Sequence, residues 1–102
     1  MPTIAILGTM DTKGVEHGFV ADVIKKRGHN VLVIDVGTLE EPRIKPDISR
    51  TEVAIAAGVD LGALVARRDR GEAVAAMSRG APLVLAKLAA ELAPQLRRAL
   101  PQ

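Results

Sequence analysis

The amino-acid sequence predicts an α/β fold in which a strand–helix–strand unit with parallel strands is followed by alanine-rich helices. Three observations support this prediction. Two short apolar runs rich in β-branched residues lie before residue 37, a stretch with helical periodicity separates them, and fourteen of the sixteen alanines follow residue 50. A chain of 102 residues is the size of one domain. We therefore predict a single domain, with the strand–helix–strand unit in residues 1–48 and a helical arm in residues 49–102.

The first part of the chain has the spacing of a βαβ crossover. Residues 3–7 form a continuous apolar run typical of a buried parallel strand. A polar turn over residues 8–14 precedes a predicted helix over about residues 15–27, and Gly28 stands where a left-handed helix stop is needed. The apolar face of this helix is predicted to consist of Phe19, Val20, Val23 and Ile24. A second buried strand over residues 31–36 completes the first half of a Rossmann-like sheet.

Two short helices are predicted at the start of the arm. Ser49 and Glu52 have the spacing of a capping box, which indicates a helix start, and Gly58 marks its end. Asp60 can cap a second helix that continues to about Arg70. These signals are local, so we expect both helix starts to be found close to these positions.

A longer helix is predicted from Gly71, where apolar residues recur at helical spacing. Pro82 interrupts this pattern, because proline has no N–H and crowds the carbonyl of Ser78. Either the helix kinks at Pro82, or residues 83–85 form a short strand. We favour the kinked helix.

The composition excludes several classes of function. The chain has no cysteine, so disulfides, thiolate zinc sites and cysteine nucleophiles are ruled out. Phe19 is its single aromatic residue, which argues against base stacking, and a net charge of +2 is too small to indicate a nucleic-acid partner. No run approaches the ~18 apolar residues of a membrane span, and no signal-like region opens the chain. We expect a soluble cytoplasmic protein that binds neither nucleic acid nor membrane.

Two parallel strands do not make a complete sheet. Helices must cover both faces of a parallel sheet, and its edges must be protected. We therefore expect the chain to be part of something larger. The missing strands would come from a second copy in a homo-oligomer, from a second polypeptide, or from a C-terminal continuation.

The turn over residues 8–14 is the strongest candidate for a binding site. Ligands of open α/β sheets bind outside the carboxyl ends of the strands, and a helix that starts there offers free N–H groups to a phosphate. Gly8 would let the backbone approach, Thr9 and Thr12 add hydroxyls, and Lys13 adds a cation. The pattern is neither a Walker A loop nor a dinucleotide fingerprint. The alternative is a structural turn in which Asp11 or Thr12 caps the helix.

Asp35 is the second candidate, because it interrupts an apolar strand near its carboxyl end. A buried charge is costly unless it is paired or reaches the strand end. Asp35 would either hydrogen-bond a ribose or cap the following turn at Gly37. Asp11 and Asp35 could also share a magnesium ion with phosphates.

Several sequence blocks resemble the Tm-one-like ATP-binding domain family, whose members include a plant tobamovirus-resistance protein and many uncharacterised proteins. The blocks occur in the same order, at residues 4–14, 28–31, 34–37, 46–50, 54–58 and 70–77. The run Gly-Thr-Met-Asp-Thr-Lys at residues 8–13 matches the family's Gly-Thr-x-Asp-Thr-Lys element. The resemblance implies an ATP-binding, Rossmann-like N-terminal region. It also implies that a second, glycine-rich phosphate loop follows later in the family, so that this chain carries half a site.

We therefore expect an ATP-binding module or half-site, with Mg²⁺ accompanying the nucleotide, that uses Gly8, Thr9, Asp11, Thr12, Lys13 and Asp35. The alternative is an assembly or regulatory domain with no ligand of its own. Residues 61–102 hold seven basic and three acidic residues, which indicates a solvated helical surface or, as the alternative, a docking face for an acidic partner or an anion. Residues 67–70, which carry three arginines, are most simply a solvated helix face. No set of residues for general-base or metal-dependent catalysis is identifiable, so no reaction is assigned.

Overall fold

The computed structural model describes the backbone of residues 3–99 and the side chains of residues 3–91. It confirms an α/β chain with a two-stranded parallel sheet followed by helices. The last three residues of the predicted arm, 100–102, lie outside the described part. The elements in order are β1 (Thr3–Gly8), α1 (Met10–Lys26), β2 (Asn30–Asp35), α2 (Arg50–Ala56), α3 (Leu61–Arg67) and α4 (Arg70–Ala99).

The sheet pairs β1 with β2 in parallel, with Thr3 opposite Asn30 and Gly8 opposite Asp35. Both strands therefore end at the same edge. The chain later returns to the other side of β2, where Ile48 forms a parallel bridge with Ile34. Within residues 3–99, no strand covers the outer edge of β1. The βαβ unit is confirmed, and its sheet is open at β1.

Neighbouring residues of β2 pack on opposite faces of the sheet, as the alternation of a strand requires. Val33 belongs to a cluster with Ile6, Met10 and Ala21, which joins the sheet to α1. Ile34 belongs to a cluster on the other face, whose remaining buried members are Val53, Ala54, Met77 and Ala81. Helices thus cover both faces of β2, α1 on one side and α2 with α4 on the other.

Helix α1 begins earlier than the sequence indicates, because residues 10–14 are helical rather than a polar turn. The N-cap is Thr9, and not Asp11 or Thr12. The helix is kinked at Lys13, where φ is −123° and ψ is 20°. Arg43 explains the kink: its backbone N–H donates to the Met10 carbonyl and its Nε to the Asp11 carbonyl, at 2.9 and 3.0 Å. Both carbonyls are normally reserved for the next helical turn.

The predicted apolar face of α1 is wrong. Phe19 is 70% exposed, Val20 46% and Val23 38%, and Ile24 alone of the predicted set packs against the core. The helix instead buries a stripe that includes the small residues Gly14 and Ala21. A Cβ on Gly14 would lie 2.9 Å from the Cβ of Arg43, so small side chains allow α1 to lie close to the loop after β2. The prediction chose large apolar residues of the middle and end of the helix, whereas the buried stripe consists of small residues together with Met10 and Asp11 at the helix start.

The helix signals of the arm are confirmed. The side chain of Ser49 accepts a hydrogen bond from the N–H of Glu52, and the side chain of Glu52 accepts one from the N–H of Ser49. These two bonds form a capping box, so α2 starts where predicted. Gly58 ends this segment with φ of +76°, and Gly28 ends α1 with φ of +86°. Asp60 caps α3 by accepting from the N–H of Ala63 at 2.8 Å.

Helix α4 runs through Pro82 without a break, so the alternative strand over residues 83–85 is wrong. Its buried residues pack against α2 and α3, and a Cβ on Gly80 would collide with the carbonyl of Val53. By length and composition, Arg70–Glu91 is apolar enough to cross a membrane. This is weak support for a membrane span, because the core helix of a soluble protein meets the same criteria.

Candidate functional site

A groove of about 600 Å³ opens at the carboxyl ends of β1 and β2. Three segments form it: the start of α1, the loop that follows β2, and the turn between α3 and α4. The polar and charged residues of its lining are Thr9, Asp11, Thr12, Thr38, Glu40, Arg68, Asp69 and Arg70. It lies where open α/β sheets bind their ligands.

Two threonines stand together on the α1 wall of this groove. The hydroxyl oxygens of Thr9 and Thr12 are 2.8 Å apart and share a hydrogen bond. Thr9 is the N-cap of α1, yet its side chain makes no capping bond, so its hydroxyl is directed to Thr12 instead. The start of α1 therefore presents two hydroxyls that can donate to a ligand.

Asp35 lies behind this wall and is completely buried. Its Oδ1 accepts from the N–H of Met10 at 3.1 Å and from the N–H of Gly37 at 2.8 Å. The capping of the Gly37 turn, one of the two predicted roles, is thus present. Among the described residues Oδ2 has no hydrogen-bond partner. Asp35 ties the end of β2 to the start of α1, and its predicted ribose contact stays a prediction.

The carboxylate of Asp11, at the start of α1, binds the backbone of the loop that follows β2. Its side chain is 2% exposed, and its two oxygens accept from the N–H groups of Thr12, Leu39 and Glu40 at 2.9, 2.9 and 3.0 Å. Burial alone would raise the pKa of the Asp11 carboxyl. The three backbone donors outweigh burial, so the pKa lies below its ordinary value of 3.8. Asp11 is therefore a carboxylate at neutral pH.

The carboxylates of Asp35 and Asp11 already use two donors of the first turn of α1, the N–H groups of Met10 and Thr12. They also place negative charge where the helix dipole is positive. A phosphate at this end of α1 would thus meet fewer free donors than the sequence suggests. Among residues 3–91, no three histidine, aspartate or glutamate side chains are arranged to hold a metal ion.

Three predicted site residues do not line the groove: Lys13, Gly8 and Asp35, of which Asp35 is buried behind the groove wall. Lys13 is exposed and is the residue at which α1 kinks. Gly8 is covered by the imidazole of His17, with which a Cβ at Gly8 would collide. Thr9, Asp11 and Thr12 are the predicted residues that the structure brings together in the groove.

Arg68 and Arg70, which were not among the predicted site residues, line the groove from the turn between α3 and α4. They were interpreted as part of a solvated helix face. The signal that could have found them is the charge balance of residues 61–102, which hold seven basic and three acidic residues. Which of these basic residues meet the groove depends on how α3 and α4 fold back.

Comparison with known proteins shows relatives in several bacteria. The chain is 42% identical over 88 residues to a UPF0261 protein of Clostridium tetani, a match that covers 86% of this chain and 22% of the relative. It is 41% identical over 80 residues to one from Brucella suis and 43% identical over 77 residues to one from Mesorhizobium japonicum. These matches cover 78% and 76% of this chain and 19% of each relative. The chain spans about a fifth of the length of these curated relatives.

No solved structure matches this chain. Residues 2–95 match the family described as "Uncharacterised protein family (UPF0261) N-terminal domain". This description assigns no ligand, so the match supports membership of an uncharacterised family but not the Tm-one-like ATP-binding attribution. The family match covers nearly the whole chain, and the relatives agree with it. The chain therefore belongs to the UPF0261 family, whose N-terminal domain it matches.

Proposed function

We propose that this chain forms half of a nucleotide-binding site, with ATP as the nucleotide and its phosphates near the junction of β1 and α1. The observation that carries the proposal is the groove at the carboxyl ends of both strands, with the hydroxyls of Thr9 and Thr12 on its wall. The resemblance of residues 8–13 to the Gly-Thr-x-Asp-Thr-Lys element of Tm-one-like ATP-binding domains supports the same ligand.

The lining of the groove suits a ligand with a charged and an apolar part. The two threonine hydroxyls would donate to phosphate oxygens in place of the bond that they now share. Leu39 and Val74, which are 68% and 59% exposed, also line the groove. Large exposed apolar side chains in a concave site are typical of a surface that packs against a ligand ring.

The remaining predicted residues have supporting roles in this proposal. Gly8 lets the chain turn closely under His17, and Lys13 reaches the phosphates from outside the groove. Asp35 would meet the ribose through its second oxygen, Oδ2, which requires the buried carboxyl group to become accessible from the groove. Mg²⁺ would be held mainly by the phosphates, because both oxygens of Asp11 already accept backbone N–H groups.

The proposal concerns half a site because the relatives are about five times longer than the matched segment. The groove is open, and its wall is built from the start of α1, one loop and one turn. Residues elsewhere in the longer family chains would enclose the nucleotide from the open side. We therefore expect weak binding by this chain and tighter binding by a full-length relative.

Isothermal titration with ATP and Mg²⁺ tests the proposal. We expect the wild-type chain to bind, and the double variant Thr9→Val/Thr12→Val to bind about tenfold more weakly, since two neutral hydrogen bonds contribute ~0.5–1.5 kcal/mol each. Lys13→Ala should weaken binding by a smaller factor. Thr51→Val is the matched control, because Thr51 is exposed on α2 and does not line the groove. Equal affinity of the double variant and this control would refute the placement of the phosphates.

A second candidate function is assembly, favoured by the outer edge of β1, which no strand of residues 3–99 pairs, and by exposed apolar side chains on α1. Phe19 and Val15 are 70% and 66% exposed, which is unusual for the helix of a parallel βαβ unit. The occupant we propose is the polypeptide that continues the family chain. The remaining part of the Clostridium tetani relative, expressed separately, should bind this chain, and Phe19→Ser should weaken that complex. Glu16→Gln, on an exposed neighbouring position, is the control.

We also propose that the chain functions in the cytoplasm. Helix α4 packs against α2 and α3, and Arg79 and Lys87 interrupt its apolar stretch. Cell fractionation tests this proposal. Recovery of the chain in the membrane pellet after a high-salt wash would contradict it.

A further inference from the structure

We propose that the turn between α3 and α4 supplies the positive charge of this site, with Arg68 and Arg70 binding the phosphates of the nucleotide from the helical-arm side of the groove. The inference rests on the proposed function and deepens it. It names the cations that the polyphosphate requires, and it assigns them to residues outside the Gly-Thr-x-Asp-Thr-Lys element.

The charges that line the groove leave these two arginines available. Three carboxylates lie in the lining. Asp11 accepts three backbone N–H groups, and Asp69 caps α4 by accepting from the N–H of Glu72 at 3.0 Å. The third, that of Glu40, forms no salt bridge among the described side chains. Within the described side chains neither Arg68 nor Arg70 forms a salt bridge, whereas their neighbour Arg67 pairs with Glu72 at 2.6 Å. The groove therefore presents two guanidinium groups with no carboxylate bound to them.

The backbone of Arg68 indicates that the fold alone does not favour arginine there. Arg68 ends α3 in the left-handed conformation, with φ of 52° and ψ of 28°, and its N–H donates to the carbonyl of Val65. Glycine is the usual residue at such a helix end, because it adopts this conformation without steric cost. An arginine at this position costs stability, and an anionic ligand in the groove gives it a function.

Arg70 lies at the start of α4, a helix of 30 residues, where the Asp69 cap and Glu72 in the first turn offset part of the positive potential of the dipole. The start of α1 has fewer free N–H donors for a phosphate, because the carboxylates of Asp35 and Asp11 occupy two of its first N–H groups. Guanidinium groups bind phosphate oxygens in pairs, which a single ammonium cannot do. The arm side of the groove thus differs from the α1 side in its two arginines, since the α1 side contributes the hydroxyls of Thr9 and Thr12 and the carboxylate of Asp11.

Calorimetric titration with two probes tests the inference: ATP with Mg²⁺, and inorganic triphosphate with Mg²⁺. We expect Arg68→Gly and Arg70→Gln each to weaken the binding of both probes about tenfold or more, as loss of a charged hydrogen bond predicts. Arg79→Gln is the control, because Arg79 is exposed on α4 and does not line the groove. Thermal unfolding measures the stability of the variants, and Arg68→Gly should unfold at the wild-type temperature or above it.

The outcomes separate this inference from the proposed function. If ATP binds equally to the wild type and to both arginine variants, the inference is overturned and the nucleotide site stands. If triphosphate binding depends on the arginines but ATP binds no better than triphosphate, the inference stands and the nucleotide function fails. If the folded wild-type chain binds neither probe, both are overturned.

Discussion

Asp11 is the residue on which the wall of the groove depends most. Its carboxylate joins the start of α1 to the loop after β2 through the N–H groups of Leu39 and Glu40, 28 and 29 residues away in the chain. A hydrogen bond to a charged group contributes ~1.5–3 kcal/mol, and a buried donor left unpaired costs a similar amount. Because Asp11 is 2% exposed, water cannot replace it easily. We predict that Asp11→Ala destabilises the chain by ~2–4 kcal/mol.

The pH dependence of stability gives a second measure of the same interaction. The pKa of Asp11 is lowered in the folded chain, since the backbone donors outweigh the opposing effect of burial. Asp11 therefore stabilises the fold at pH values above its unfolded pKa, near 3.8, and this contribution is lost as pH falls through the folded pKa. Asp11→Asn keeps the size of the side chain but not the charge. It should remove this part of the acid dependence and be less stable at neutral pH.

Urea denaturation of the wild type, Asp11→Ala and Asp11→Asn, at neutral pH and at pH values around 3.8, measures both effects. Asp22→Asn is the matched control, because Asp22 is an exposed aspartate on the same helix. The reasoning would be refuted if Asp11→Asn were as stable as the wild type at neutral pH. It would also be refuted if the Asp22 control and Asp11→Asn lost the same stability.

Three further predictions concern the packing around the site. Gly37→Ala should destabilise the chain by ~1–3 kcal/mol in urea denaturation, because its Cβ would collide with the Asp11 carboxylate, whereas Gly62→Ala, on the exposed side of α3, should change stability far less. Arg43→Met removes the side-chain donor to the Asp11 carbonyl and keeps the backbone donor to the Met10 carbonyl, so the first turn of α1 should relax in part toward regular helix, seen as changed amide exchange at residues 10–14. Unchanged exchange there would contradict a role of the side-chain bond in the kink. Phe19→Ser should leave the unfolding free energy of the isolated chain within ~0.5 kcal/mol of the wild type, and a larger loss would mean that Phe19 is buried in solution.

The features that the sequence predicted correctly have local causes. Gly28 and Gly58 end helices because their left-handed backbone favours glycine, and the capping box of Ser49 and Glu52 spans four residues. The β1–α1–β2 pairing follows from apolar runs and their spacing. Each of these signals is complete within a short segment, so no knowledge of the remaining fold was needed.

The features that were missed depend on residues distant in the chain. The kink of α1 requires Arg43, which donates to carbonyls 32 and 33 residues earlier. The buried stripe of α1 could not be identified from hydrophobicity, because Gly14 and Ala21 become buried only when the loop after β2 packs against them. Likewise, Arg68 and Arg70 line the groove only because α3 and α4 fold back toward the ends of the strands.

The electrostatics of the groove explain why the first turn of α1 does not suffice to bind phosphate alone. Two buried carboxylates, Asp11 and Asp35, already accept from the N–H groups of Met10, Thr12 and the following loop, so the dipole of α1 is largely satisfied within the fold. An anion placed against these carboxylates is repelled unless cations lie nearby. The arginines of the α3–α4 turn and a magnesium ion carried by the nucleotide can offset that repulsion. The threonine hydroxyls would then orient the phosphates, and the positive charge that binds the phosphates would come from the α3–α4 turn.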